Sequence, residues 1–430
     1  MKKVVCLVAT CLFVIPISPT LDRHLSSPLD SKWTIMIYFA ADNHRDPEIE
    51  ATLEQMKVVG NKVNLVVLVD GRENGDTKYL FLDKGSFIKL KWIEEESNMG
   101  DGHTLYNFLN MSIGMFPADH YALFVLSTHG SGWQGLGADL FGGKDLDLLD
   151  MKEYKAVLSN ITNEGKNKID LVAFDICVTA SIEVAYQLSP YVRYMVGTEE
   201  HGFGINECAD EGYSLGWNYS AFLMKLRENP SMNREEFARC IVKSYRPGTY
   251  TFKIFDRYTA PKWYPILKCY TTLSAINLSR VRELVKSIDS LAINLSQESK
   301  KLIKNAREMS REYGKLYRKF WFLPFCIYKF HLDPLGYNCF VDIGDFVEKL
   351  GKYNNTVLSS LQETIVFNKT LPTDPSHGLF IYFPQYRCQY DVSIWCPFPK
   401  DFISYEELDF SKSTHWDEFL KNYLDSNFRP

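Results

Sequence analysis

The sequence predicts an α/β protein built around a mostly parallel sheet. Short apolar runs recur in the amino-terminal half, and the two clearest are YALFVL at 121–126 and IDLVAFD at 169–175. Such a run is typical of a parallel strand that is covered on both faces. Segments with helical patterning alternate with these runs, and this alternation of strand and helix indicates a parallel sheet.

The individual elements follow from the same pattern. Predicted strands cover residues 33–39, 62–70, 77–83, 86–94, 121–126, 169–175, 191–200 and 249–256. Predicted helices cover a segment that ends near Val59, then 98–116, 151–160 and 179–188. Glycine-rich loops follow two of the strands, at 130–143 and at 201–217. Beyond about residue 220 the pattern becomes mainly helical.

Size and composition set the domain organisation. With 430 residues, 46% of them hydrophobic, the chain has enough material for a large core. We predict a catalytic domain at 26–255 and a C-terminal domain at 256–430, which either stands apart or shares the central sheet. The net charge of −5, without a basic block, gives no indication of nucleic-acid binding. We expect a monomer.

The amino terminus has the layout of a targeting segment. Lys2 and Lys3 precede an uncharged apolar stretch from Val4 to Ile17. This order is typical of a secretory signal peptide, and the stretch is short for a membrane span. We therefore assign residues 1–25 to a signal peptide and expect a secreted or extracytoplasmic protein without a stable membrane span. An uncleaved anchor or a buried first strand is the alternative.

The cysteines do not form a recognisable framework. Outside the signal segment they are scattered, and no Cys-x-x-Cys pair occurs. This spacing argues against a disulfide scaffold and against a structural zinc site. The sequence therefore predicts no metal-ligating residues.

Two strand ends carry the residues that could perform chemistry. The run at 121–126 leads to His129-Gly130, and the run at 169–175 leads to Cys177. Functional residues of open α/β sheets lie beyond the carboxyl ends of the strands, and the chain between these two allows one helical crossover. We predict that Cys177 is a nucleophile and His129 its acid–base partner. The amides of Gly130 and Cys177 are candidates to stabilise an oxyanion.

Other interpretations of these residues exist. A buried thiol and an unrelated loop histidine would explain either residue alone. Cys208 is a rival thiol, and His103 and His201 are rival histidines, but none of the three follows a long buried run. Asp175 lies two residues before Cys177, so both side chains share one side of an extended segment. Its carboxylate could bind a substrate cation or form a hydrogen bond at the strand end, and the spacing does not separate these roles.

Several motifs resemble those of the clostripain family of cysteine peptidases, which are relatives of caspases. The matching segments include WTIMIYFAADN at 33–43, STHGSGW at 127–133, FDIC at 174–177 and HGLFIYFP at 377–384. The separation of histidine and cysteine also agrees with the spacing of about fifty residues in caspases. The resemblance extends over roughly residues 33–384. It implies a caspase-like three-layer α/β/α sandwich with a helix-rich C-terminal region, and a hydrolase that cuts after Arg or Lys.

The resemblance also implies roles for single residues. His129 and Cys177 would form the dyad, with Asp175 at the base of the S1 pocket. A second pocket acid is expected in the region 199–211, where Glu199, Glu207 and Asp210 compete, and we take Asp210.

The same resemblance implies precursor processing and stimulation by calcium. Members of the family are made as inactive precursors that are cut at a basic residue between the dyad histidine and cysteine. Lys144 is the candidate here. Calcium stimulation is common in the family, which makes Ca²⁺ an expected activator, although no local run of carboxylates resembles an EF-hand loop.

Two other functions are compatible with this fold. The chain could be a binding or regulatory relative that cleaves little, against which the intact pair of His129 and Cys177 argues. It could also be a peptidyl transferase that uses the same dyad. Products formed in the presence of an added amine would separate transfer from hydrolysis.

Overall fold

The computed structural model describes residues 31–43, 45–90, 96–128, 130, 132–139, 147–200, 216–252, 267–313, 339–385, 387–390 and 403–424. The strands within these ranges are β1 (Trp33–Ala40), β2 (Asn64–Asp70), β3 (Lys78–Asp83), β4 (Ser86–Lys89), β5 (His120–Leu126), β6 (Ala138–Asp139), β7 (Asp147–Leu148), β8 (Ile169–Asp175), β9 (Val192–Gly197), β10 (Thr249–Phe252), β11 (Leu267–Tyr270), β12 (Leu273–Asn277), β13 (Glu312–Tyr313), β14 (Phe340–Asp342), β15 (Ile365–Lys369) and β16 (Phe380–Tyr382).

The α-helices in the same ranges are α1 (Ile49–Met56), α2 (Gly102–Met115), α3 (Met151–Ile161), α4 (Ile182–Leu188), α5 (Tyr219–Glu228), α6 (Arg234–Ser244), α7 (Val281–Leu295), α8 (Lys300–Met309), α9 (Ile343–Leu350), α10 (Asn354–Thr364), α11 (Arg387–Tyr390), α12 (Asp409–Lys412) and α13 (Trp416–Leu424). In the described part of the chain, every helix is too short or too polar to cross a lipid bilayer.

The main sheet has nine strands in the order β15-β12-β9-β8-β5-β1-β2-β3-β4. The five central strands, from β9 to β2, are parallel. Antiparallel strands extend the sheet at both edges. The residues of β1, β2 and β8 are all buried, which explains why these runs are apolar on both faces.

Helices cover both faces of this sheet. Along β1, Met36 and Tyr38 face one core with α2, α3, α4 and α7, whereas Ile35 and Ile37 face a second core with α1, α5 and α6. Successive side chains of a strand point to opposite faces, so one strand contributes to both cores. The predicted three-layer α/β/α architecture with a mostly parallel sheet is therefore confirmed.

Strands from beyond residue 255 join the main sheet. β12 pairs with β9, and β15 pairs with β12. A separate three-stranded sheet, β13-β14-β16, contacts the central region where Phe380 pairs with Ser181. Buried Glu183 strengthens this contact, because its carboxylate accepts hydrogen bonds from the Tyr382 amide and the Tyr405 hydroxyl, each at 2.9 Å. The division at residue 255 stays a prediction.

The predicted element boundaries are corrected at a few places. The strand predicted at 86–94 ends at Lys89, and residues 91–95 lie outside the described ranges. The helix predicted at 179–188 begins at Ile182, because the side chain of Ser181 caps it by accepting from the Glu183 and Val184 amides. The amides of Thr179 and Ala180 instead donate to the Thr198 carbonyl. This bonding keeps the segment after Cys177 extended.

A histidine–carboxylate pair fixes the start of α9. Asp342 caps this helix, and its Oδ1 lies 2.8 Å from Nδ1 of His377. A Cβ at Gly344 would lie 2.3 Å from the ring of His377, so only glycine leaves room for the ring. Burial lowers the pKa of His377, but the hydrogen bond and charge of Asp342, with the charge of Glu348, outweigh burial and raise this pKa to about 9.

We predict that His377→Gln lowers stability in a pH-dependent way. The pKa of His377 is higher in the folded chain than the value of about 6.5 in an unfolded chain. The stabilisation is therefore complete below about pH 6.5 and is lost as the pH rises through about 9. Melting temperatures of wild type and His377→Gln, measured between about pH 6 and pH 10, should differ at the acidic end and converge at the basic end.

The matched control is His103→Gln, because His103 is an exposed histidine in the first turn of α2. This variant should follow the wild-type profile across the same range. A melting-temperature difference for His377→Gln that does not change with pH would contradict the prediction.

Candidate active site

The two strands that precede the predicted dyad are neighbours. β5 and β8 run parallel, with Leu126 paired to Asp175, and the Ser127 amide donates to the Asp175 carbonyl at 3.3 Å. The segments that follow these strands therefore leave the sheet side by side. His129 itself lies outside the described residues, as does Ser131.

Gly130 packs directly on the backbone of Cys177. A Cβ built on Gly130 would lie 1.7 Å from the carbonyl oxygen of Cys177 and 3.0 Å from a methyl group of Ile176. Only a residue without a side chain permits this approach. The glycine that follows His129 in the sequence thus allows the two segments to touch.

Cys177 is a half-buried cysteine at the carboxyl edge of the sheet. The next residue, Val178, has a φ of +51°, a left-handed conformation that β-branched residues rarely adopt. Two hydrogen bonds of 3.1 Å hold it there, from its amide to the Glu200 carbonyl and from the Gly132 amide to its carbonyl. Strain of this kind costs about 1–3 kcal/mol and is concentrated at functional sites.

No helix begins directly after Cys177. The helix predicted at 179–188 would place its N-terminus near Thr179, where its positive end could favour the thiolate of Cys177, but α4 begins at Ile182. The prediction that a helix dipole acts on the thiol is therefore wrong, because the effect falls off within the first turn.

Asp175 is buried and already holds a cation of the chain itself. Its Oδ2 accepts hydrogen bonds from the Arg45 guanidinium at 3.0 Å and from the Tyr219 hydroxyl at 2.7 Å. The side chain of Asp175 is 2% exposed and that of Arg45 is 5% exposed. Burial lowers the pKa of Arg45, but the charges of Asp175 and Glu48 outweigh this effect and raise the pKa.

Arg45 also contacts the ends of both dyad strands. Its Nη1 donates to the carbonyl oxygens of Asp175, at 2.8 Å, and Ser127, at 3.4 Å. Its Nε forms an ion pair with Glu48 at 3.1 Å. One guanidinium therefore joins β5, β8 and the turn after β1. Nothing in the sequence around Arg45 signals this role.

The candidates for a second pocket acid divide into two groups. Glu199 is fully buried, and burial together with the charge of Asp342 raises its pKa well above the usual value. Glu207 and Asp210 lie outside the described residues, as do the rival residues His201 and Cys208. The structure therefore leaves the choice among these acids as a prediction.

Lys144, the predicted processing site, also lies outside the described residues. The chain on either side of it is described. β6 and β7 pair antiparallel, with Ala138 opposite Leu148 and Asp139 opposite Asp147. The two flanks of residues 140–146 are thus held next to each other.

Three buried aspartates could hold a metal ion. One carboxylate oxygen from each of Asp42, Asp70 and Asp139 lies within 4.8 Å of the other two. Burial and neighbouring acids raise the pKa of Asp70 to about 8 and that of Asp139 to about 7. The sequence predicts no metal-ligating residues, and these three aspartates are far apart in the chain. The available signal is that Asp42 comes shortly after one predicted strand and Asp70 is the last residue of another.

Two sequence comparisons with known proteins both point to the clostripain family. A sequence model of the clostripain family matches residues 37–423. Clostripain from Hathewaya histolytica is 26% identical over 321 residues, which cover 63% of this chain and 58% of clostripain. This chain therefore matches less than two thirds of that relative's length.

Two solved structures share the fold. One is a secreted C11 cysteine protease from Bacteroides thetaiotaomicron in complex with an irreversible peptide inhibitor, and the other is an inactive zymogen C11 protease from Parabacteroides distasonis. Each superposes on 90% of this chain with a TM-score of 0.60. Their identities of 16% and 18%, over 100% and 99% of their chains, show similarity of fold.

We predict that Gly130→Ala disrupts the site. The added methyl group would overlap the carbonyl oxygen of Cys177, so the two segments would have to separate. We expect a lower melting temperature and loss of cysteine reactivity towards a peptide-based covalent inhibitor. The matched control is Gly114→Ala, because the Cβ of that helical residue would meet no atom within 4 Å. This control should be neutral or more stable by up to about 1 kcal/mol, and equal behaviour of the two variants would contradict the prediction.

Proposed function

Because this chain belongs to the clostripain family of cysteine proteases, we propose that it is a secreted endopeptidase that cleaves peptide bonds after Arg or Lys. The observation that carries this proposal is the position of Cys177. This half-buried cysteine lies at the carboxyl edge of the sheet, and its backbone carbonyl packs against Gly130, the residue that follows His129 in the sequence. The strained backbone of Val178 supports a functional role for this edge.

The proposed reaction uses Cys177 and His129. The imidazole of His129 takes the thiol proton, and the thiolate attacks the carbonyl carbon of the scissile bond to form a carbon–sulfur bond. The amides of Gly130 and Cys177 stabilise the oxyanion. His129 then gives the proton to the leaving amine as the carbon–nitrogen bond breaks. Water hydrolyses the thioester, which releases the carboxylic acid product and restores the thiol.

Specificity is proposed to depend on buried negative charge. Asp175 and Asp210 would accept the guanidinium or ammonium group of the substrate residue before the cleaved bond. Arg45 binds the same carboxylate of Asp175. A substrate cation would therefore share Asp175 with Arg45 or replace it.

Self-activation is proposed at Lys144. The specificity proposed above includes lysine, and the pairing of β6 with β7 holds both flanks of this loop in place. We also propose Ca²⁺ as an activator and a monomeric state. The substrates would be proteins or peptides with an accessible Arg or Lys.

The first test compares wild type with Cys177→Ala on fluorogenic peptides that end in Arg, Lys or Asp. We expect cleavage after Arg and Lys alone, and a fall of more than about 10⁴-fold in kcat for Cys177→Ala, because the nucleophile is removed. Cys240→Ala is the matched control, since Cys240 is a free cysteine buried in α6, and it should retain activity.

The same preparations test self-activation. Intact mass should show a cut at Lys144 in wild type and an uncut chain in Cys177→Ala. No cleavage of any peptide, with or without calcium, would contradict the proposed function. Cleavage after Asp would contradict the proposed specificity.

A double-mutant cycle tests the role of Asp175. Arg45→Met and Asp175→Asn should each lower stability by about 3–5 kcal/mol, because each removes one partner of a buried ion pair. The double variant should recover part of this loss, since both partners of the Arg45–Asp175 pair are then replaced by neutral groups. Chemical denaturation measures these free energies of unfolding.

The activity of the folded double variant then separates the two roles. If Asp175 binds the substrate cation, this variant loses cleavage of Arg and Lys peptides while Cys177 still reacts with iodoacetamide as in wild type, which reports that the strand ends keep their positions without Arg45. Activity close to that of wild type would show that Asp175 only anchors Arg45 and would contradict its assignment to the S1 pocket.

A further inference from the structure

Three acidic side chains from separate parts of the chain converge near the carboxyl ends of β1 and β2. Asp42 lies in the turn after β1, Asp70 is the last residue of β2, and Asp139 lies in β6. One carboxylate oxygen of each lies within 4.8 Å of the other two. Asp42 and Asp70 are fully buried, and Asp139 is 5% exposed. The cluster is thus removed from water, which ordinarily solvates carboxylates and screens the repulsion between them.

The two carboxylate oxygens of Asp70 differ in their hydrogen bonding. Its Oδ1 accepts a hydrogen bond from the Thr77 hydroxyl. Its Oδ2 is buried and has no hydrogen-bond partner among the residues that the structure describes. Buried polar atoms almost always have a partner, so this oxygen indicates a ligand that completes the site. Asp70 is also the member that the two acidic groups at this place share.

The charges around Asp70 are all of one sign. A second group, formed by Asp70, Asp76 and Glu96, overlaps the first. Oε1 of Glu96 is also buried without a hydrogen-bond partner in the described ranges. Glu96, Asp139 and Asp76 act on Asp70 as like charges, and the side chains of Asp139 and Asp42 are hydrogen-bonded to each other, which requires a proton between the two carboxyl groups. A bound cation would take the place of that proton and offset the like charges.

We propose that Asp42, Asp70 and Asp139 form a binding site for a divalent cation that prefers oxygen ligands, specifically calcium. The available donors are carboxylate oxygens, which favour hard cations over zinc or copper. Calcium takes six to eight oxygen ligands in flexible geometry, and Asp76 and Glu96, which form the second group with Asp70, are the neighbouring acids from which further oxygens could come. Magnesium keeps several of its waters and suits a buried all-protein site less well.

Such a cation would fix the segment that follows the dyad histidine. Asp139 belongs to the stretch that begins with Gly130, and its Oδ2 accepts from the Met99 amide at 2.8 Å. Asp42 and Asp70 belong to the ends of two central strands. Binding would therefore join this stretch to the sheet. The binding itself does not depend on the proposed cleavage reaction.

The experiment measures binding and stability, not activity. The Cys177→Ala chain, freed of metal with a chelator, is titrated with calcium and separately with magnesium by isothermal titration calorimetry, and melting temperatures are recorded with and without each ion. We expect calcium to bind and to raise the melting temperature by several degrees, and magnesium to bind at least tenfold more weakly. Asp70→Asn and Asp139→Asn, made in the same chain, should each weaken calcium binding at least tenfold and remove most of the shift.

The metal-free proteins provide the test of folding. Asp70→Asn should melt at or above the temperature of its metal-free parent, because it removes one of several like charges, and circular dichroism should match. Asp119→Asn is the control, since Asp119 is an exposed acid at the opposite end of β5 and should leave calcium binding unchanged. Three results would overturn the proposal. They are no calcium binding up to about 10 mM, which exceeds the dissociation constants of weak extracellular sites, equal shifts in parent and Asp70→Asn, or tighter binding of magnesium than of calcium.

Discussion

The structure around the candidate active site depends on one buried guanidinium. Arg45 donates to the carboxylate of Asp175 and to the carbonyl oxygens of Asp175 and Ser127, the residues at which two parallel strands end. A buried charge is tolerated only when it is fully paired, so these acceptors cannot move independently. The positions of the segments that contain His129 and Cys177 are therefore set by an arginine from the turn after β1. The Gly130 contact completes the arrangement by bringing the second segment onto the first.

The sequence predicts the centre of the fold well, because a strand that is buried on both faces appears in the sequence as a continuous apolar run. The apolar runs at 121–126 and 169–175 form β5 and β8, adjacent and parallel as expected. The edge formed by β12 and β15 could not be predicted, because β15 is only half-buried and its partner β12 lies far away in the chain. The onset of α4 at Ile182 depends on hydrogen bonds of the preceding residues to Thr198, which no local pattern shows.

In the candidate site too, the residues at strand ends are predictable from the sequence, and those brought in from distant parts of the chain are not. Cys177 and Gly130 could be placed from strand ends, whereas Arg45 could not, since 130 positions separate it from Asp175. The aspartate cluster illustrates the same limit, because only the folded sheet brings Asp70 next to Asp139. The left-handed backbone of Val178 contradicts its local preference, and the surrounding hydrogen bonds enforce it.

The adjacency of β5 and β8 has a consequence for any molecule cut at Lys144. The break would fall between β5 and β8, which are hydrogen-bonded neighbours in the middle of the sheet. Both fragments would therefore contribute strands to the same hydrophobic core. Neither piece could depart without exposing a long apolar strand edge. The nicked protein would thus be a complemented pair of fragments, whose melting temperature rises with protein concentration, whereas that of the intact chain is independent of concentration.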